Sequence, residues 1–148
     1  MTDALAAQPT GIHHLRLTVT DVVRSKEFYS RVFGADPVTD FTGEAGDPTV
    51  LQDPAKLFGG CVFLFGGQLL GLRPGAPTGD RFDPTRVGLD HVSLTVGSVD
   101  DLDHAAERLT AAAIEHGGVQ VLGGGALAIL SIQDPDDINL ELCAVIAR

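Results

Sequence analysis

Two stretches of the chain repeat one alternation of apolar and polar positions: GIHHLRLTV at residues 11–19 and GLDHVSLTV at residues 88–96 align residue for residue. In a strand, successive side chains point to opposite faces. Leu15, Leu17 and Val19 therefore share one face of the first copy, and His14, Arg16 and Thr18 share the other. In the second copy Val92, Leu94 and Val96 oppose His91, Ser93 and Thr95. Each strand offers an apolar side for a helix to cover and a polar side suited to a cavity or a site. His13 falls on the apolar side in this register and is set aside as a chemical partner.

After each strand the apolar period lengthens to that of a helix. Val22, Val23, Phe28, Tyr29, Val32 and Phe33 recur at helical spacing, with Asp21 as N-cap and Gly34 as the left-handed terminator. Val99, Leu102, Ala105, Ala106, Leu109 and Ala113 repeat the pattern, with Ser98 as cap and Gly117 and Gly118 as the stop. Short apolar runs then predict strands over 50–52, 60–65 and 68–73 in the first half, and over 119–122, 126–132 and 138–145 in the second. Gly66 and Gly67 mark a hairpin, Gly123 to Gly125 a flexible one, and Asp134, Pro135, Asp136 and Asp137 a turn. The chain reads as an α+β protein of two βαβββ modules, residues 11–73 and 87–146, joined by a proline- and glycine-rich linker at 74–86.

The last strand adds a third candidate to the two repeated histidines. Ile138, Leu140 and Leu142 alternate with Asn139, Glu141 and Cys143, which puts Glu141 on the polar side with His14 and His91. Two imidazoles and one carboxylate with open positions suit iron, manganese, nickel, cobalt or zinc, and a substrate with adjacent oxygens would take the open positions. Arg16 and Arg73 are candidates for holding a substrate carboxylate through bidentate hydrogen bonds, or for solvated salt bridges at the rim. Ser93 and Asn139 are candidates for orienting ligands or touching substrate. The glycine run at 123–125 has no following GK[ST] and no helix, so it is not a phosphate loop, and Asp134 and Asp136 lack the spacing of a calcium loop.

Composition narrows the function classes. A formal charge of -10, with 20 acidic against 10 basic side chains, argues against a nucleic-acid surface. Residues 1–10 lack a basic start with a long apolar run, and no segment is long enough to span a bilayer, so a cytoplasmic protein is expected. Cys61 and Cys143 are too few for a disulfide framework and are expected to be reduced. Each module alone leaves strand edges open, which predicts a homodimer. A purely sequestering pocket would lean on aromatic walls, and this chain has no tryptophan and 5% aromatics.

The duplicated strand-helix-strand-strand-strand order, the xHxxLxV opening of each half and the closing DPDDINLEL resemble the vicinal oxygen chelate superfamily. That group includes glyoxalase I, bleomycin-resistance proteins and extradiol dioxygenases. The resemblance implies modules that form a curved, incompletely closed mixed barrel, and metal ligands from first and last strands: here His14, His91 and Glu141. It implies a metal-dependent lyase, isomerase or dioxygenase acting on a small oxygen-bearing substrate, with a non-catalytic, bleomycin-resistance-like binding protein as the alternative. Departures limit the transfer. Gly71 stands where glyoxalase I carries a further glutamate, which speaks against glyoxalase I activity in its usual form. The one tyrosine, Tyr29, lies on a helix, and His13, His104 and His116 occupy no obvious acid/base position for a dioxygenase. The potassium-binding loop of fosfomycin-modifying relatives has no counterpart, and Asp137 and Ile138 replace the common Gly-Asn pair.

Overall fold

Asp21 starts the first helix as expected: its carboxylate accepts from the backbone N–H groups of Val23 and Arg24 at 3.1 and 3.0 Å. From there α1 (Val22–Phe33) runs to Gly34, whose φ of 64° ends it. The computed structural model describes residues 7–146. Its first compact unit ends at Thr78 and the second begins at Gly79.

The first unit holds β1 (His14–Val19), α1, β2 (Thr39–Asp40), β3 (Cys61–Phe65) and β4 (Gln68–Pro74). Its sheet has the order β1-β4-β3-β2, with β1 and β4 parallel and the other pairs antiparallel. One face buries Leu17, Val19, Cys61, Phe63, Leu70 and Leu72, and α1 contributes Val22 and Tyr29. Tyr29 meets Phe63 at 6.1 Å between centroids, and Phe33 meets Phe65 at 5.4 Å, so this core is held by aromatic contacts. Burial, and then the charge of Asp40, push the Cys61 thiol up to about 12, so it stays protonated and inert.

The second unit holds β5 (Val92–Thr95), α2 (Val99–Ala111), β6 (His116–Leu122), β7 (Leu127–Gln133) and β8 (Asn139–Val145), in the sheet order β5-β8-β7-β6. Again the first and last strands are parallel and the rest antiparallel. Its core is aliphatic: Leu102 and Leu109 of α2 are buried, as are Ala128, Leu130, Ile132, Leu140 and Ala144 of the sheet. Both units are thus α+β, each a βαβββ series on an open, mixed sheet that does not close on itself. No helix among the described residues is long and apolar enough to cross a membrane.

Three expectations need correction. Residues 50–52 form a 3-10 helix, and the second strand of the first module is the two-residue β2. The reason is local: Asp47 accepts from the N–H and hydroxyl of Thr49, both at 2.8 Å, and Asp53 accepts from the N–H of Ala55 at 2.8 Å. These turns compete with an extended backbone. Next, β5 is shorter than the repeat suggests, so His91 lies just before it, whereas His14 opens β1.

Third, α2 stops well before Gly117. Ala113 takes φ 56°, its N–H bonds the carbonyl of Thr110, and the N–H of Ile114 bonds that of Leu109. This is a Schellman ending with alanine where glycine is usual. At the other turn, Asp134 is buried and its Oδ1 accepts from the N–H groups of Asp136 and Ile138, both at 2.8 Å, so it serves the backbone as expected of a turn aspartate. Replacing a left-handed alanine by glycine removes Cβ strain, so Ala113→Gly is expected to stabilise the protein by about 1 kcal/mol. Urea unfolding with an unchanged m-value checks this, and a lower midpoint would contradict it.

Candidate functional site

A cavity of about 410 Å³ in the second unit brings together Asp90, His91, Glu115, His116, Asn139 and Glu141. The parallel pairing of β5 with β8 builds it, setting Ser93 opposite Glu141 on the polar face. Ser93 Oγ donates to Glu141 Oε1 at 2.8 Å, which fixes the carboxylate by one oxygen. Asn139 Nδ2 donates to the backbone carbonyl of Asp90 at 3.3 Å, and its own Oδ1 accepts from Gln133 Nε2 at 3.4 Å. Of the expected site residues in this unit, His91, Asn139 and Glu141 therefore share one cavity, with Ser93 bound to the last.

His91 is oriented by a neighbour that the sequence reading did not single out. Its Nδ1 lies 2.5 Å from Asp90 Oδ1. A carboxylate only accepts, so Nδ1 carries the proton and the lone pair of a neutral ring is left on Nε2. The Asp90 hydrogen bond raises the His91 pKa from its ordinary value, burial opposes this, and the charge of Glu141 adds to the rise. A carboxylate on the far nitrogen is the arrangement that fixes metal-binding histidines. The adjacent Asp-His pair was the available signal.

His116 also borders the cavity, but its chemistry is already engaged. Its Nδ1 accepts from the N–H of Gly118 at 3.1 Å, so the neutral ring carries its proton on Nε2, which donates to Thr110 Oγ1 at 2.8 Å. With both nitrogens satisfied inside the chain, this imidazole fixes the start of β6.

In the first unit the equivalent positions differ. His14 is exposed, and its Nδ1 lies 2.9 Å from Nδ1 of His13, which fills the place that Asp90 holds in the second copy. His13 is thus beside His14 and not in the core, contrary to its register assignment. Arg16 pairs with Gly71 as Ser93 pairs with Glu141. A Cβ at Gly71 would meet Arg16 Nε at 3.3 Å and Cγ at 3.4 Å, so the arginine stem lies over the place where the other copy carries its carboxylate. Arg73 has its guanidinium 3.8 Å from the centroid of Phe58. No periodicity pointed to Phe58, because it reaches this place through a loop. Among the described residues no three His, Cys, Asp or Glu side chains form a ready-made metal cluster.

The family model of the Glyoxalase/Bleomycin resistance protein/Dioxygenase superfamily matches residues 11–142, and the chain belongs to that superfamily. It is 30% identical to a glyoxylase/bleomycin resistance protein/dioxygenase domain from Frankia sp. EAN1pec, with a TM-score of 0.71 over 94% of this chain and 100% of that one. Lactoylglutathione lyase from Agrobacterium tumefaciens is similar at 19% identity and a TM-score of 0.68, covering 93% of this chain and 96% of its own. So is a mutant of the fosfomycin resistance protein FosX from Listeria monocytogenes, complexed with Mn(II) and 1S,2S-dihydroxypropylphosphonic acid, at 21% identity and a TM-score of 0.68, covering 94% and 95%. The last two are likenesses of fold. No curated protein sequence matches the chain.

The hydrogen bonds assign opposite tautomers to the two cavity histidines. Above the imidazole titration range, nitrogen-15 NMR of the metal-free protein is expected to show His91 protonated on Nδ1 and His116 on Nε2. A shared tautomer would overturn the assignment.

Proposed function

We propose that the chain is a metal-dependent enzyme acting on a small oxygen-bearing substrate, with His14, His91 and Glu141 as ligands of a divalent ion. The observation that carries this reading is the pair of bonds that orient His91 and Glu141. Asp90 occupies one nitrogen and Ser93 one oxygen, so each side chain keeps one donor atom for a cation at the same cavity. The donor set, imidazole and carboxylate, fits iron, manganese, nickel, cobalt or zinc. When bound, such an ion supplies Lewis acidity toward a substrate with adjacent oxygens, and iron would add redox chemistry. Asp90 keeps the proton of His91 on Nδ1, Ser93 sets the carboxylate of Glu141, and Asn139 ties down the backbone of Asp90. Gly71 contributes no carboxylate, so the proton-transfer group of a lactoylglutathione lyase is absent at that position. The cavity lining contains no Phe, Tyr or Trp, which weighs against a pocket built only to sequester a planar molecule.

Elemental analysis of the purified chain, before and after reconstitution, is expected to give about one equivalent of metal, with a higher unfolding temperature when the ion is bound. His14→Ala, His91→Ala and Glu141→Ala should each lose stoichiometric binding with unchanged circular dichroism. Asp90→Ala should weaken binding by about 10- to 100-fold. A wild-type chain that takes up no divalent ion would reject the reading.

We also propose that the chain forms a homodimer, because β1 and β2 leave open edges on one sheet and β5 and β6 on the other. Sedimentation at micromolar concentration is expected to give twice the chain mass, and a single-chain mass would contradict it.

A further inference from the structure

The polar face of the first sheet carries two guanidinium groups and no carboxylate. Arg16 lies opposite Gly71, and Arg73 lies opposite Thr18 on the adjacent parallel strand, so the two arginines are diagonal neighbours on one face. No salt bridge joins either to a carboxylate among the described residues, whereas Lys26, Lys56, Arg81 and His91 each pair with one. In a chain with 20 acidic and 10 basic side chains, two adjacent arginines without a carboxylate between them mark a place kept open for an anion from outside.

Each arginine is held by its own local device. The missing Cβ of Gly71 lets the stem of Arg16 lie flat on the sheet, with Nε 3.3 Å from where that carbon would be. Arg73 is stacked on Phe58, which is brought there by two successive left-handed residues, Leu57 at φ 53° and Phe58 at φ 57°. L side chains avoid that conformation, and such strain concentrates at ligand clamps. Stacking covers a face of the guanidinium and leaves its edge N–H groups for a coplanar acceptor. Beside the two cations lie Val62, opposite Gly71, and Leu64, opposite Leu69 and 49% exposed. Along this face the two cations give way to Leu69 and Leu64, with His14 opposite Leu69.

We propose that Arg16 and Arg73 form a carboxylate subsite, and that the ligand of this face is a small carboxylic acid with an apolar body. Calling that acid the enzyme's substrate rests on the metal-enzyme reading; the anion subsite itself does not. The two guanidinium edges bind the carboxylate oxygens, and Leu64 and Val62 take the carbon chain.

The test uses hexanoate as the probe, with acetate and inorganic phosphate as comparisons, at constant chloride. Calorimetry and the Nε–H signals of arginine in NMR are followed on the full-length chain, as purified and after chelator treatment. Saturable hexanoate binding is expected in both forms, with shifts at Arg16 and Arg73, about tenfold tighter than acetate or phosphate. Arg16→Met and Arg73→Met should each weaken it by about 10- to 100-fold. Gly71→Glu, which sets an internal carboxylate beneath Arg16, should do the same, whereas Arg86→Met removes a charge elsewhere and should leave binding unchanged. All variants are checked by circular dichroism, and the two arginine substitutions add no bulk to the sheet. The proposal is overturned by hexanoate binding weaker than about 10 mM, by binding insensitive to these variants, or by phosphate binding as tightly as hexanoate. Binding that disappears with the chelator and ignores the arginines would place the carboxylate on the metal and also overturn it. Metal uptake without an anion subsite defeats this inference alone; an anion subsite without metal uptake defeats the metal reading alone.

Discussion

Everything chemical in this protein depends on the parallel pairing of the first and last strands of each module. Those strands are far apart in sequence, and no local contact would bring them together. Their register, Arg16 against Gly71 and Ser93 against Glu141, decides which side chains share a polar face. A slip of one residue would turn Glu141 into the core and Leu140 out of it. What opposes the slip is the buried side of the same strands, where Leu17, Val19, Leu70 and Leu72 in one unit and Leu140 and Ala144 in the other exclude water. Burying a leucine or isoleucine side chain is worth about 1.5–3 kcal/mol, so several of them hold the register against any single polar contact on the open face.

The duplication has kept this scaffold and changed what it carries. Three of the differences between the copies change the chemistry of the polar face: His13 for Asp90, Arg16 for Ser93 and Gly71 for Glu141. The changes at the paired strands depend on one another. A glutamate at position 71 would place its carboxylate under Arg16, and a serine at 16 would leave the glycine uncovered. The arginine stem and the missing Cβ together form one solution, and the Ser93 hydroxyl bonded to Glu141 forms the other. The cores differ too, aromatic around Tyr29 in the first unit and aliphatic in the second, which shows how loosely a pattern of apolar positions constrains which residues fill them.

What could be read from sequence follows the range of the interactions involved. Strand alternation and helix periodicity are local, so both helices, their N-caps and the polar faces carrying His14 and Glu141 were legible, as was the equivalence of the Gly71 and Glu141 positions. The segment 50–52 misled because Asp47 and Asp53 satisfy neighbouring backbone groups and turn an apolar run into a 3-10 helix. The end of α2 misled because Ala113 accepts a conformation normally left to glycine. Asp90 could have been read from its adjacency to His91; Phe58 could not, since its approach to Arg73 depends on two left-handed residues that no propensity favours.

The charges are divided between the copies in a way that net charge conceals. The cavity of the second unit is lined by Asp90, Glu115 and Glu141 with no lysine or arginine, while the open face of the first sheet carries Arg16 and Arg73 with no carboxylate. Carboxylates gathered around an imidazole suit a cation, because each stabilises positive charge placed near it. Two guanidinium groups on one face suit an anion for the same reason. A duplicated fold can tolerate two such faces because each rests on its own core, so the charge at one can change sign without disturbing the packing beneath the other.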